Sequence, residues 1–255
     1  MKLIKQSIFV EALDREARLY VGLPEDYDQS AKRYPVVYMH DGHNVFLEDD
    51  AFKGVTWEML ELHAKHPDIL EFIVVALDCA EGESRLDEYG PFYFDFPGVD
   101  RTCGGKGDEY LSYLAYTLKP MIDSSYRTLK EPYNTSIIGS SMGGIISLYA
   151  GLKYQDVFGR IGSVSGSYFV SEQEFIDLIS KANVSSLTKV YLDTGDSEVG
   201  GGDSMDYVAS NLNIYHALRQ KLPPNKLSFQ IIENGKHFEA DWAERLPDII
   251  RSLWS

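Results

Sequence analysis

Gly139-Ser140-Ser141-Met142-Gly143-Gly144 follows the strand-like run Ser136-Ile137-Ile138 and precedes the apolar stretch 145–150. A short apolar run, a glycine-rich hexapeptide and a helix-length apolar segment predict strand, tight turn and helix. Glycines stand two residues before and two residues after Ser141. A side chain at either place would push strand and helix apart, so glycine lets the backbone turn sharply with the serine hydroxyl at its tip. There the helix N-terminus offers free N–H groups and the positive end of its dipole to a developing negative charge. A glycine-rich turn with an idle serine is the plain alternative, and the flanking strand and helix are what weigh against it. The similar string Gly162-Ser163-Val164-Ser165-Gly166 fails, because Val164 occupies the nucleophile position.

Strands alternate with helices on both sides of this turn. Apolar runs at 36–39, 72–77, 161–164, 190–193 and 227–232 predict strands. Helical spacing covers about 144–152, 172–181, 206–221 and 240–253, and Leu111, Leu114, Leu118 and Ile122 share one helical face. This order gives an α/β fold with a mainly parallel sheet and helices on both faces. Ligands then bind at the carboxyl ends of the strands. An N-terminal pair, 4–13 and 17–23, reads as an antiparallel hairpin turning at Asp14-Arg15-Glu16. No repeat or linker divides the chain, so residues 1–255 read as one domain. Segment 78–107 lacks a regular period and reads as a long pocket-shaping loop. Its aromatics (Tyr89, Phe92, Tyr93, Phe94, Phe96) suit either an acyl or aryl pocket or a plug over the core.

The 255 residues are 44% hydrophobic and 25% charged, ordinary for a globular chain. Lys and Arg number 24 against 39 Asp and Glu, a net charge of −15. Such a surface repels phosphate backbones and anionic lipid, which argues against nucleic-acid and membrane partners. Only Cys79 and Cys103 are present, too few for a disulfide scaffold. With no signal-like apolar segment, a cytoplasmic location with reduced thiols is the expectation. The sequence is silent on oligomeric state.

An activated serine needs a base, and in this fold the acid and then the histidine follow the serine along the chain. Of six histidines only His216 and His237 come after Ser141. His216 sits inside a helical pattern, whereas His237 lies in the loop after the 227–232 strand, at the sheet's carboxyl edge. His237 is therefore the candidate base. The acid belongs to the loop after 190–193, where Asp196 and Glu198 both fit by position. Two N–H donors should stabilise the oxyanion: Met142, just after the nucleophile, and His43, presented by Gly42 in the loop after 36–39.

At this point the chain resembles the Putative esterase family of α/β-hydrolases, which holds enterochelin-esterase-like enzymes, feruloyl esterases, S-formylglutathione hydrolases and mycolyltransferases. Tyr38-Met39-His40-Asp41-Gly42-His43-Asn44-Val45-Phe46 is similar to the family's YMHDGQNLF segment, with His43 in the usual glutamine place. Residues 139–144 and Ser165-Gly166-Ser167 also match. Arg85-Leu86-Asp87-Glu88-Tyr89 is similar to its R-x-x-E-Y element, which makes Arg85, Glu88 and Tyr89 candidate substrate-binding residues. Glu198-Val199-Gly200-Gly201 resembles the mycolyltransferase E-L-G-G string, and Asn234-Gly235-Lys236-His237 its N-G-x-H. The resemblance implies Glu198 as the acid, with Asp196 in reserve, and supports His43 and Met142 as oxyanion amides.

Rival chemistries fit less well. His40-x-x-His43 and His63-x-x-His66 lack the further ligand a catalytic zinc needs. The acidic stretch 193–206 lacks the calcium-loop pattern, and Gly104-Gly105-Lys106 lacks the P-loop's first glycine and its Ser or Thr. The expectation is a cofactor-free serine carboxylesterase of α/β-hydrolase fold acting on a small-molecule ester. Acyl transfer or thioester hydrolysis would use the same triad, and a binding module on a hydrolase scaffold is the non-catalytic alternative.

Overall fold

The computed structural model describes residues 1–255. The chain begins with an antiparallel pair, β1 (Lys2–Val10) and β2 (Arg15–Leu23), in register from Lys2 opposite Leu23 to Val10 opposite Arg15. There follow β3 (Val36–Met39), α1 (Leu62–Lys65), β4 (Ile73–Leu77) and α2 (Ser84–Tyr89), then a small antiparallel ribbon, β5 (Tyr93–Asp95) and β6 (Thr102–Gly104). Next come α3 (Gly107–Tyr113), α4 (Lys119–Ser125), β7 (Thr135–Ser140), α5 (Met142–Lys153), β8 (Arg160–Val164) and α6 (Glu172–Lys181). The chain ends with β9 (Lys189–Gly195), α7 (Ser204–Arg219), β10 (Leu227–Ile232) and α8 (Glu239–Trp254).

Eight strands form the main sheet in the order β1-β2-β4-β3-β7-β8-β9-β10, parallel from β4 to β10. Successive strand residues point to opposite faces. Val36, Tyr38, Ile73, Val75 and Leu77 enter one apolar layer, and Val37, Met39, Val74 and Ala76 enter the other. The inner strands are apolar on both sides for that reason. Helix α8 lays Trp242, Leu246, Ile249, Ile250 and Leu253 on the second layer, a stripe at helical spacing. Each such burial stabilises by roughly 1.5–3 kcal/mol, so the loop that enters α8 is held from below. No helix is long and apolar enough to cross a membrane.

Two expectations are corrected. The hairpin turns at 11–14 rather than 14–16: a 3-10 turn over Glu11–Leu13 leads into Asp14 at φ 50°. Aspartate tolerates that left-handed conformation. Arg15 joins the strand, and its guanidinium reaches Glu88 at 2.6 and 2.8 Å. Segment 78–107 is not a plain loop, since it holds α2 and the β5–β6 ribbon. Four of its five aromatics side with the core, and Tyr93 is exposed. Tyr89 and Phe94 are buried, Phe92 packs edge-on against Tyr149 and Phe175, and Phe96 packs near Phe94.

Candidate active site

Ser141 sits between β7 and α5 at φ 60°, ψ −123°, a strained conformation for a non-glycine residue. Such backbone costs on the order of 1–3 kcal/mol and persists only where neighbours enforce it. Here the Ser141 N–H donates to the Val164 carbonyl at 3.0 Å, and the Ser141 carbonyl accepts from Gly144 and Ser167. A Cβ on Gly139 would lie 2.7 Å from the Gly143 backbone and from His40, so this glycine is needed for the close approach. The N–H groups of Met142 and His43 donate to no protein acceptor and are free for a ligand oxygen.

The His43 loop is fixed from three sides. A Cβ on Gly42 would meet the Leu77 carbonyl carbon at 2.8 Å. Asp41, at φ 52°, donates its N–H to the Tyr89 hydroxyl at 2.9 Å. Its carboxylate takes a bidentate fork from Arg85 at 2.6 and 2.7 Å. Burial alone would raise the Asp41 carboxyl, but the Arg85 guanidinium outweighs it and holds the group at about 2. Asn44 donates to Glu239 at 3.0 Å and accepts from the Phe52 N–H, which ties the loop to α8. His40, expected only as a weak metal candidate, is buried with its Nδ1 on the Tyr110 hydroxyl. Burial drops its pKa to about 3, so it is neutral. Asp41, His43 and Cys79 place ligand atoms within 4.8 Å of one another, but the Arg85 fork already engages both Asp41 oxygens. A cation there would compete with a guanidinium for the same lone pairs.

Glu198 and His237 meet as the sequence order requires. Glu198 is fully buried. Its Oε2 lies 2.5 Å from His237 Nδ1, while Oε1 accepts from the Gly195 N–H at 2.6 Å and the Ser165 hydroxyl at 2.5 Å. Ser165 Oγ in turn accepts from Trp242 Nε1 and Arg245 Nη2. A buried carboxylate survives only when paired and hydrogen-bonded in this way. Asp196 is exposed and instead receives the Asn234 N–H at 2.8 Å, so it leaves the site. His216 is exposed on α7.

Two hydroxyls link Ser141 Oγ to His237 Nε2 in a chain. Ser141 Oγ is 3.1 Å from Ser167 Oγ, which is 3.3 Å from the Tyr207 hydroxyl. That hydroxyl lies 3.4 Å from His237 Nε2. No direct Ser141–His237 hydrogen bond is made, and the Ser167 and Tyr207 hydroxyls stand between the two side chains. The structure thus brings Glu198 and His237 into direct contact and sets Ser141 two hydroxyls away from the imidazole. The sequence marked Ser167 only within a matching string and missed the Tyr207 hydroxyl and the support from Trp242 and Arg245, which sit in ordinary helical patterns with no local signal.

Ser141 and His237 line a cleft of about 1210 Å³ that runs toward the β1–β2 hairpin. Most of its lining residues are polar or charged, among them Arg15, Arg18, Asp78, Arg85 and Glu88. Of the three expected substrate-binding residues, Arg85 and Glu88 face this cleft. Tyr89 does not; it is fully buried and holds the Asp41 N–H from behind. None of the aromatics between 89 and 96 lines the cleft, and all but the exposed Tyr93 pack on the core.

The family model described as Putative esterase matches residues 10–253. The Bacillus subtilis protein YbbA is 32% identical over 200 residues, covering 74% of this chain and 70% of its own. The Iron(III) enterobactin esterase of Dickeya dadantii is 30% identical over 166 residues, 65% of this chain and 33% of its own. Among solved structures, the enterobactin esterase of Shigella flexneri superposes with a TM-score of 0.78 at 18% identity, over 100% of this chain and 59% of that one. A ferulic acid esterase gives 0.72 at 19% identity, over 99% and 98%. The chain therefore belongs to the Putative esterase family and has the α/β-hydrolase fold.

Proposed function

We propose that this protein is a serine carboxylesterase that works through an acyl-enzyme at Ser141. The observation that carries the reading is the buried Glu198–His237 pair at 2.5 Å, opening on a serine held at the strained tip of a strand–helix turn. As Ser141 Oγ bonds to the ester carbonyl carbon, its proton passes to His237 Nε2 and the carbonyl π pair moves to oxygen. The His43 and Met142 amides receive that oxyanion. Glu198 keeps the imidazole in the tautomer whose Nε2 is free and stabilises the imidazolium. The imidazolium then protonates the leaving alkoxide as the carbon–oxygen bond breaks. Water, deprotonated by the same nitrogen, releases the acid and restores Ser141.

The charged side chains of the cleft offer hydrogen bonds to a polar substrate group beside its apolar surface. Relatives named for enterobactin and ferulic acid make enterobactin and esters of ferulic acid the first substrates to try. Two free thiols fit a reducing, cytoplasmic setting. The test is turnover of p-nitrophenyl acetate. Wild type hydrolyses it, and Ser141→Ala and His237→Ala each abolish the activity. Activity surviving Ser141→Ala refutes the reading.

A further inference from the structure

The Tyr207 hydroxyl has no part in the triad as derived from the sequence, yet it occupies the space beside both reacting atoms. Tyr207 is fully buried in the first turns of α7. Those turns are pinned: Asp203 and Asp206 form a reciprocal cap, and Asn211 Nδ2 donates to the Gly166 carbonyl at 2.7 Å. The Tyr207 ring packs on His237 with centroids 4.7 Å apart and meets Phe169 edge-on at 5.0 Å. The phenol proton is committed to the Gly200 carbonyl at 2.5 Å. Its oxygen lone pairs are left facing Ser167 Oγ at 3.3 Å and His237 Nε2 at 3.4 Å. Burial pushes the phenol up to about 12, against the opposing hydrogen bond from Ser167, so it stays neutral through the working range.

The arrangement distinguishes the two charge states of the imidazole. With Nδ1–H given to Glu198, neutral His237 presents a bare lone pair at Nε2. Two lone pairs then face each other across 3.4 Å with no proton between them, and no bond forms. Once Nε2 takes the Ser141 proton, the same geometry holds an N–H opposite an oxygen acceptor. An interaction made only in the charged state lowers the barrier instead of deepening the ground state.

We propose that Tyr207 is a positioning residue of the hydrolytic centre: its phenol oxygen accepts the Nε2–H of His237 when the imidazole is charged. Tyr207 itself gains and loses no proton. The other titratable and charged groups around His237 are Glu198 on Nδ1, Glu239 from α8, and the Asp41–Arg85 pair in the same cleft. Substitution at Tyr207 leaves all of them in place. The inference rests on the esterase reading.

Tyr207→Phe keeps the ring and removes only the oxygen. The kcat falls about ten-fold, equivalent to about 1.4 kcal/mol. KM stays within about two-fold, and the acid limb of kcat/KM moves down by roughly half a pH unit, since the charged imidazole has lost an acceptor. A ¹⁵N NMR titration of His237 shows the same downward shift without any substrate. His216→Gln, which removes an exposed imidazole from the same helix, leaves the limb where it is. Incorporation of 3-fluorotyrosine at position 207, a weaker acceptor of the same shape, moves it in the same direction if Tyr207→Phe fails to fold. An unmoved limb and NMR titration, or an equal shift in His216→Gln, overturns the proposal. A wild-type protein with no ester turnover and no fluorophosphonate adduct overturns the esterase reading instead, and the NMR titration still decides the phenol–imidazole contact.

Discussion

Replacing Glu198 by glutamine changes one oxygen to an amide nitrogen and removes a charge, with almost no change of shape. The amide orientation is forced. The Oε1 position receives two donors, the Gly195 N–H at 2.6 Å and the Ser165 hydroxyl at 2.5 Å, so the amide oxygen must stay there. The NH₂ then faces His237 Nδ1, which has to become an acceptor, and the ring proton moves to Nε2. That nitrogen has lost the lone pair that takes the Ser141 proton. A wrong tautomer in an otherwise intact triad costs roughly 10⁴ in kcat, about 5 kcal/mol of barrier. Asp196→Asn is the matched control. The side chain is exposed, and an asparagine oxygen can still accept the Asn234 N–H, so kcat stays within about two-fold. The assay is kcat on p-nitrophenyl acetate at fixed pH, with thermal melts to show that both variants are folded. A Glu198→Gln protein within ten-fold of wild type, or a larger loss in Asp196→Asn, refutes the assignment of the acid.

Gly42→Ala places a Cβ 2.8 Å from the Leu77 backbone and must displace the loop that presents the His43 N–H. Losing one oxyanion donor lowers kcat by about 10²–10³ with little change in KM, measured by steady-state kinetics. Arg85→Gln leaves the buried Asp41 carboxylate without its guanidinium, which costs about 3–5 kcal/mol in denaturant unfolding. Because Arg85 holds Asp41 at about 2, below its unfolded value near 3.9, the pair's contribution is complete above pH ~4 and is lost as pH falls toward 2. In Arg85→Gln that part of the acid loss disappears from a melting-temperature profile. Buried His40 titrates at about 3 instead of near 6.5, so the unfolded chain binds a proton that the native state refuses. Stability is full above pH ~6.5 and falls by up to about 1.4 kcal/mol per pH unit below it. His40→Leu removes that slope from unfolding free energies measured between pH 6.5 and 4.

The strand–turn–helix around Ser141 was legible because its two glycines and flanking apolar runs admit few other backbones, and Gly139 is indeed packed against Gly143. The sheet order was legible in kind, since apolar runs alternating with amphipathic stretches impose parallel pairing. The hairpin turn was misplaced because Glu11 interrupts the apolar pattern of β1 no more than Glu16 interrupts β2. Asp196 and Glu198 share one loop two residues apart, and only burial separates them. Tyr89 lies in a motif beside the site, but spacing does not say which way a ring turns, and this one turns inward behind Asp41. Tyr207 and Arg245 escaped notice because polar atoms on the inner face of α7 and α8 look like packing residues until the neighbours are in place.

Mass spectrometry of the intact protein and its peptides after exposure to a fluorophosphonate tests the central claim most directly. The account predicts a single adduct, on the peptide carrying Ser141, and none in Ser141→Ala. An adduct that survives Ser141→Ala, or an unmodified wild-type protein, contradicts it.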